Sequence, residues 1–306
     1  ASGANSTAVG HFNVAEGEGS NAVGRGNTVF GKNGNAFGSD NVVEGTGATA
    51  VGMESVAAGE NSFAAGTGAQ AQGANAVVVG ASAGADGENA TAMGAGSSAI
   101  GAGASAYGSG AFAIGTNTVA SGYNASATAD SATAVGGTVS IPDSDLPEQT
   151  TTASEVGASA FGAGAQATGA YSSAVGTLAT ASGNQAVALG YQSQAAFDTS
   201  TALGSFAVSK GTDSTAVGYR AKADERAAAL GMNADAAGQY SVALGSYSRS
   251  NGKLATAVGA FTSAAKNATA LGNFASAKGN GSIAVGESSE SSGNESVVIG
   301  GMTDVK

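Results

Sequence analysis

Cysteine is absent from this chain, which removes disulfides and thiol chemistry and leaves the redox compartment open. Histidine occurs once, at His11, beside a turn. A lone histidine there reads as a surface residue, and serine–histidine triads and zinc sites lack the ligands they need. Basic residues are scarce, 11 against 22 acidic ones, for a net charge of −11. That balance argues against nucleic acid as a partner, because phosphate binding needs clustered cations. No long apolar run, heptad pattern or leader sequence is recognisable, so nothing reads as a membrane-crossing helix, and the chain reads as a fragment whose export and anchoring parts lie elsewhere. The carboxylate pairs Glu16/Glu18, Asp143/Asp145 and Asp224/Glu225 are spaced like solvated loops rather than a calcium site. No residue is assigned to catalysis, to a cofactor or to a metal.

Glycine, by contrast, recurs every seven residues without a miss from Gly3 to Gly122. A strict short period means one small unit repeated along a line. Alternate glycines close a richer motif, so the true repeat is fourteen residues: N-S-T-A-V-G at Asn5–Gly10, N-S-F-A-A-G at Asn61–Gly66, D-S-T-A-V-G at Asp213–Gly218 and Y-S-V-A-L-G at Tyr240–Gly245. The glycines between them close polar segments such as Val14–Gly17 and Ala277–Gly279. The G-x-G strings, such as Gly17-Glu18-Gly19, are products of the repeat; none opens a helix, so a dinucleotide site is excluded. The pattern lapses near 137–156, where both prolines (Pro142, Pro147) lie, and resumes with some thirteen-residue steps, Gly218 to Gly231 and Gly259 to Gly272.

Helical solenoids need some thirty residues per repeat, and glycine is too frequent for helix interiors. The segment before each glycine alternates with period two, as a short strand does. Val9 and Thr7 share one face and Ala8 the other. Two strands and two glycine turns make a flattened coil, stacking at about 4.8 Å, so roughly twenty coils predict a rod on the order of 100 Å. The expected fold is all-β, a parallel β-roll (β-solenoid), with N-terminal coils over 1–136, an inserted loop over 137–156 and C-terminal coils over 157–306.

The position two before each glycine is nearly always alanine, which predicts a thin interior. The position just before the glycine is polar on one strand of the coil. On the other it is Val9, Val23, Phe37, Val51, Val79, Met93, Val175, Leu189, Leu203, Val217, Leu230, Leu244, Val258, Leu271, Val285 and Ile299. A monomer does not leave such a ribbon bare in water. These residues are expected to form the axis of an obligate homo-oligomer. Three thin rods around a threefold axis suit it; sequence alone leaves two or three open.

The hexads resemble the N-S-V-A-I-G repeat of trimeric autotransporter adhesin heads of the YadA type. The resemblance implies a left-handed roll, a homotrimer, and the surface of a Gram-negative bacterium, with neck, stalk and outer-membrane anchor outside this sequence. It also implies attachment to an extracellular-matrix protein (collagen, fibronectin or laminin class) or to a host-cell surface. Ligand contact is expected on the outward positions of the polar strand, with Lys210, Arg249 and Lys278 as candidates, the basic residues being concentrated after residue 161. Tyr107, Tyr171, Tyr191, Tyr219, Tyr240 and Tyr247 fit either a contact surface or turn packing. Two departures stand out. Ile100 and Ile114 put apolar residues on the normally polar strand, with Phe30 a further one, and the acidic insertion is expected to cover part of that patch through Ile141 or Leu146. The rival readings are a structural spacer or self-association module, and an ice-binding solenoid suggested by Thr-x-Val pairs such as Thr7/Val9 and spoiled by bulky Leu, Phe and Met interruptions.

Overall fold

The computed structural model describes residues 1–140 and 148–301. The chain divides into two compact units, Ala1–Gly164 and Ala165–Lys306. Both are all-β, and no helix occurs among the described residues.

In the first unit each coil supplies one strand to each of two sheets. The first sheet takes the motif strands, Thr7–His11, Asn21–Arg25, Asn35–Ser39 and so on to Ser159–Phe161; the second takes two-residue strands from Val14–Ala15 to Thr152–Ala153. Every strand pair is parallel and keeps one register: Thr7 opposite Asn21, Ala8 opposite Ala22, Val9 opposite Val23. Equivalent positions of successive repeats therefore stack into columns about 4.8 Å apart. The ladder runs from N–H to the carbonyl one coil on, as in Thr7 N to Ser20 O at 2.8 Å and Val14 N to Asn27 O at 2.8 Å.

The second unit follows the same plan, from Gln166–Ala167 and Ser173–Val175 to Val297–Ile299. Its thirteen-residue steps keep Ala216 opposite Ala229 and Ala257 opposite Ala270, because the missing residue comes out of the turns at 224–227 and 265–268 and not out of a strand.

The expected thin interior is present. Ala22, Ala36, Ala50 and Ala64 are fully buried, as are Ala216, Ala229 and Ala243. Further inward columns contribute Ser20, Ala48 and Ala76 before the motif strands and Asn27, Asn41 and Ser55 before the short ones. Alanine burial releases little free energy per residue, so the stacked backbone ladder carries much of the order. Asn13, Asn27 and Asn41 form a side-chain ladder inside the first unit. Asn27 Nδ2 donates to Asn13 Oδ1 at 2.9 Å and to Gly38 O at 2.9 Å; Asn41 Nδ2 repeats this on Asn27 Oδ1 and Gly52 O.

The two glycine series serve different ends. Gly24, closing a motif strand, has φ +124°, a conformation side chains disfavour. Gly17, on the other turn, has no such φ, but a Cβ there would lie 2.2 Å from the carbonyl oxygen of Gly31 in the next coil.

The insertion is absorbed in one turn. Thr133 pairs with Ser159 and Ser126 with Thr152, so the sheets continue in register on either side. An antiparallel bridge joins Val139 and Gln149 at the base of the extra segment. Ile141 and Leu146 lie outside the described residues; Ile100 is 41% exposed.

Candidate ligand-binding surface

Two outward surfaces carry side chains able to bind something: the apolar columns of the first sheet and the outer face of the second sheet with its adjoining turns.

On the first sheet the inward register of the motif alanines forces their neighbours outward. The column before the glycines holds every residue assigned to it from sequence. Val9, Phe37, Val51, Val79 and Met93 of the first unit and Leu189, Leu203, Leu230, Leu244, Leu271 and Ile299 of the second are exposed, from 36% to 75%. Val23, Val175, Val217, Val258 and Val285 are half-buried beside their neighbours. Tyr107 and Phe161 belong to the same column, opposite Met93 and Val135. Phe161 was legible in its A-x-G context, and Tyr107 is neither a turn residue nor part of the polar face.

The second sheet places Lys210, Arg249 and Lys278 outward as expected, yet does not bring them together. Lys210 and Lys278 occupy one column five coils apart, about 24 Å. Arg249 stands in the neighbouring column, opposite Asp235, which is opposite Lys222. Lys278 is already engaged: its Nζ donates to Glu290 Oε1 at 2.6 Å, and this bond holds the Glu290 carboxyl below the usual carboxylate range. Arg226 is likewise tied, chiefly by donating from Nη1 to the Tyr240 hydroxyl at 2.6 Å, with Asp213 3.5 Å from its Nε; these contacts raise its pKa further. Among the described residues Lys210, Arg220, Lys222 and Arg249 enter no ion pair.

Three of those free cations meet in one groove of the second unit. Its lining comprises Phe206, Arg220, Lys222, Asn233, Ala234, Asp235, Tyr247 and Arg249, around about 490 Å³. The turn after each motif glycine sets its shape. The second residue of that turn is left-handed, with φ of +58° at Phe206, +54° at Arg220, +53° at Asn233 and +57° at Tyr247. Those side chains stack as a column, and the short Asn233 leaves a gap between longer neighbours. On one side Phe206 meets Tyr191 and Tyr219 edge to face at 5.3 and 5.9 Å between centroids, and the Arg220 guanidinium lies 5.1 Å from the Tyr219 ring centre. On the other, Tyr247, Phe261 and Phe274 stack nearly parallel at 5.0 Å spacing. Sequence reasoning found Arg249 and missed Arg220 and Lys222 as its companions. The signal was their offset along the repeat, blurred by the thirteen-residue step between Gly218 and Gly231.

A small-residue parallel β-solenoid with an apolar outward column on its first sheet defines a class of repeat-built domain. The YadA head domain repeat (2 copies) matches residues 1–27, 31–55, 44–69, 57–83, 71–97, 94–118, 113–137, 153–179, 181–207, 209–234, 225–248, 263–289 and 277–301. The chain belongs to this family, the YadA-type head domains of trimeric autotransporter adhesins. Members of that family are structural and binding proteins rather than enzymes, anchored in the outer membrane of Gram-negative bacteria. Among solved structures, the collagen-binding domain of the Yersinia adhesin YadA is similar at 25% sequence identity, covering 56% of this chain and 84% of that one, with a TM-score of 0.35. No curated protein matches the chain.

Proposed function

We propose that this chain is the head of a bacterial surface adhesin and acts as a homotrimer, with the first-sheet column from Val9 to Ile299 on the axis. The observation that carries this reading is the outward run of Val, Leu, Phe, Met and Ile, continuous in the second unit from Val175 to Ile299 and interrupted in the first only by Ala65, Tyr107 and Ser121, which a lone chain leaves in water. The trimer presents three copies of the second-sheet face to a matrix protein of the collagen, fibronectin or laminin class or to a host-cell surface. Repetition replaces a deep pocket: shallow contacts on three copies raise the effective concentration of each remaining contact once one is made. Of the three candidates on that face, Lys210 and Arg249 are in no ion pair, while Lys278 is partly neutralised by Glu290. A sedimentation mass of the isolated chain and solid-phase binding to collagen, fibronectin and laminin test the reading together. The expected result is a trimer that binds at least one of them, with binding lowered by Lys210→Glu and Arg249→Glu. A trimer that clumps beads and binds no matrix protein or cell would leave a self-association module instead.

A further inference from the structure

We infer that the groove between Phe206 and Tyr247 is a binding site for a sulfated polysaccharide. The first observation is charge. The protein carries a net −11, yet Arg220, Lys222 and Arg249, three of its 11 basic residues, line one groove and none is in an ion pair. Of the other cations described in this unit, Arg226 and Lys278 are held by Asp213 and Glu290, while Lys210, Lys253 and Lys266 are unpaired but stand outside the groove. Cations left unpaired around a concavity of an acidic protein suit an anionic ligand held by several groups at once.

The second observation is the aromatic frame. Tyr247 ends a stack of three rings, so one face lies against Phe261 and the other is turned toward the Asn233 gap. Phe206 closes the opposite side, with Arg220 5.6 Å from its ring centre. The C–H faces of a pyranose ring pack on such rings; Asn233 in the lining can donate to and accept from sugar hydroxyls, and Asp235 can accept from them. Bulky aromatic residues in the left-handed region are unusual, and here Phe206 and Tyr247 flank Arg220 and Asn233 in one column, with Lys222 and Arg249 in the adjoining column of the second sheet.

The third is spacing. Lys222 and Arg249 stand two coils apart in one column, about 10 Å, the scale of a disaccharide, with Asp235 between them. A ligand that repeats its anionic groups along an extended chain meets both cations and passes the carboxylate with a hydroxyl. A densely charged strand such as nucleic acid would set an anion against Asp235.

The inference rests on the adhesin reading only in placing this surface outside the cell. The test uses the full 306-residue chain. Heparin is the sulfated probe, hyaluronan the carboxylate-only probe, and binding is measured over a salt series around physiological ionic strength. Heparin is expected to bind and hyaluronan to bind far less. The triple variant Arg220→Gln/Lys222→Gln/Arg249→Gln should weaken heparin binding about tenfold or more and flatten the slope of log affinity against log salt by about 2. The charge-matched triple Arg25→Gln/Lys253→Gln/Lys266→Gln should stay within about twofold. Tyr247→Ala should weaken binding several-fold with the salt slope unchanged, as loss of a ring contact does. All substituted side chains are exposed, and circular dichroism confirms that each variant folds. Absence of heparin binding, equal losses in the two triples, or hyaluronan binding as tight as heparin would overturn the site. If heparin fails while the unsubstituted chain binds a matrix protein, this inference alone falls. If heparin binds through the groove while no matrix protein or cell is bound, the site stands and the matrix-binding reading falls.

Discussion

At the scale of single residues, each column position answers to one physical demand, and substitutions separate the demands. A side chain at Gly24 meets two objections at once, a φ of +124° and a Cβ 1.9 Å from the Gly38 carbonyl oxygen. Gly24→Ala is therefore expected to cost about 3 kcal/mol or more. Gly84 is a glycine of another kind: a Cβ there meets nothing within 4 Å, and its column neighbours are Gln70 and Ser98. Gly84→Ser should change stability by less than about 0.5 kcal/mol. The buried polar residues divide in the same way. Asn27→Ala removes the acceptor of the Asn41 N–H and Nδ2 and the side-chain donor to the carbonyls of Val23 and Gly38, an expected loss of about 2–4 kcal/mol. Ser62 Oγ is buried and makes no hydrogen bond, so Ser62→Ala should be neutral or slightly stabilising. Repeat arrays unfold piecemeal, so amide exchange in the affected coil is the measurement that resolves these differences. Glu290 offers a titration check. Its pKa is lowered in the folded chain by Lys278, so the pair stabilises above the ordinary carboxylate range and releases that contribution as pH falls through the lowered value. The exposed setting keeps the effect on stability small. A proton titration of Glu290 should show the low midpoint, and Lys278→Ala should return it toward the ordinary range.

At the scale of the coil, the register gives a sharper test than any point change. Removing residues 187–200 deletes one whole repeat of the second unit and brings Thr201 under Ser173, where Val187 stood. Every column stays in phase, so the shortened protein is expected to fold with strand content and thermal midpoint close to the parent. Removing 187–193 instead puts the second-sheet pair Gln194-Ala195 beneath the motif strand Ser173–Val175. The two sheets exchange, the apolar column is broken, and the protein should unfold or aggregate; circular dichroism on heating separates the outcomes. This periodicity is also why so much was readable from sequence. Alanine two before each glycine fixed which residues point inward, and that alone sorted the outward columns into apolar and polar. What escaped were features made by neighbouring coils rather than within one. The Asn13–Asn27–Asn41 ladder and the small column of Ser20, Ala48 and Ala76 sit in turn positions, where period-two reasoning does not apply. The groove at Asn233 escaped for the same reason: a short side chain matters only because Arg220 and Tyr247 stack on either side of it.

At the scale of the whole molecule, the apolar column decides whether the chain is solitary. A side chain such as Leu230 or Leu244, 37% and 43% exposed, still has much of its apolar surface to bury. At about 25 cal/mol per Å², many such residues in each copy of the proposed trimer would outweigh the entropy of association by a wide margin. The opposite sheet offers no comparable column, because its exposed apolar residues, such as Phe30, Ile100 and Phe112, are interspersed with Lys, Asp, Ser, Gln and Thr, which keep their hydration. Leu203→Arg combined with Leu230→Arg would set charges from three copies against one another on the axis, in a place where water is excluded. The variant is expected to sediment as a monomer with the same strand content, since both side chains point away from the alanine interior and leave the ladder untouched. Arginine at Lys210 and Lys222, on the outer sheet, should leave the mass of the parent unchanged. A parent chain that remains monomeric and folded at micromolar concentration would overturn the threefold arrangement, and with it the multivalent mode of attachment.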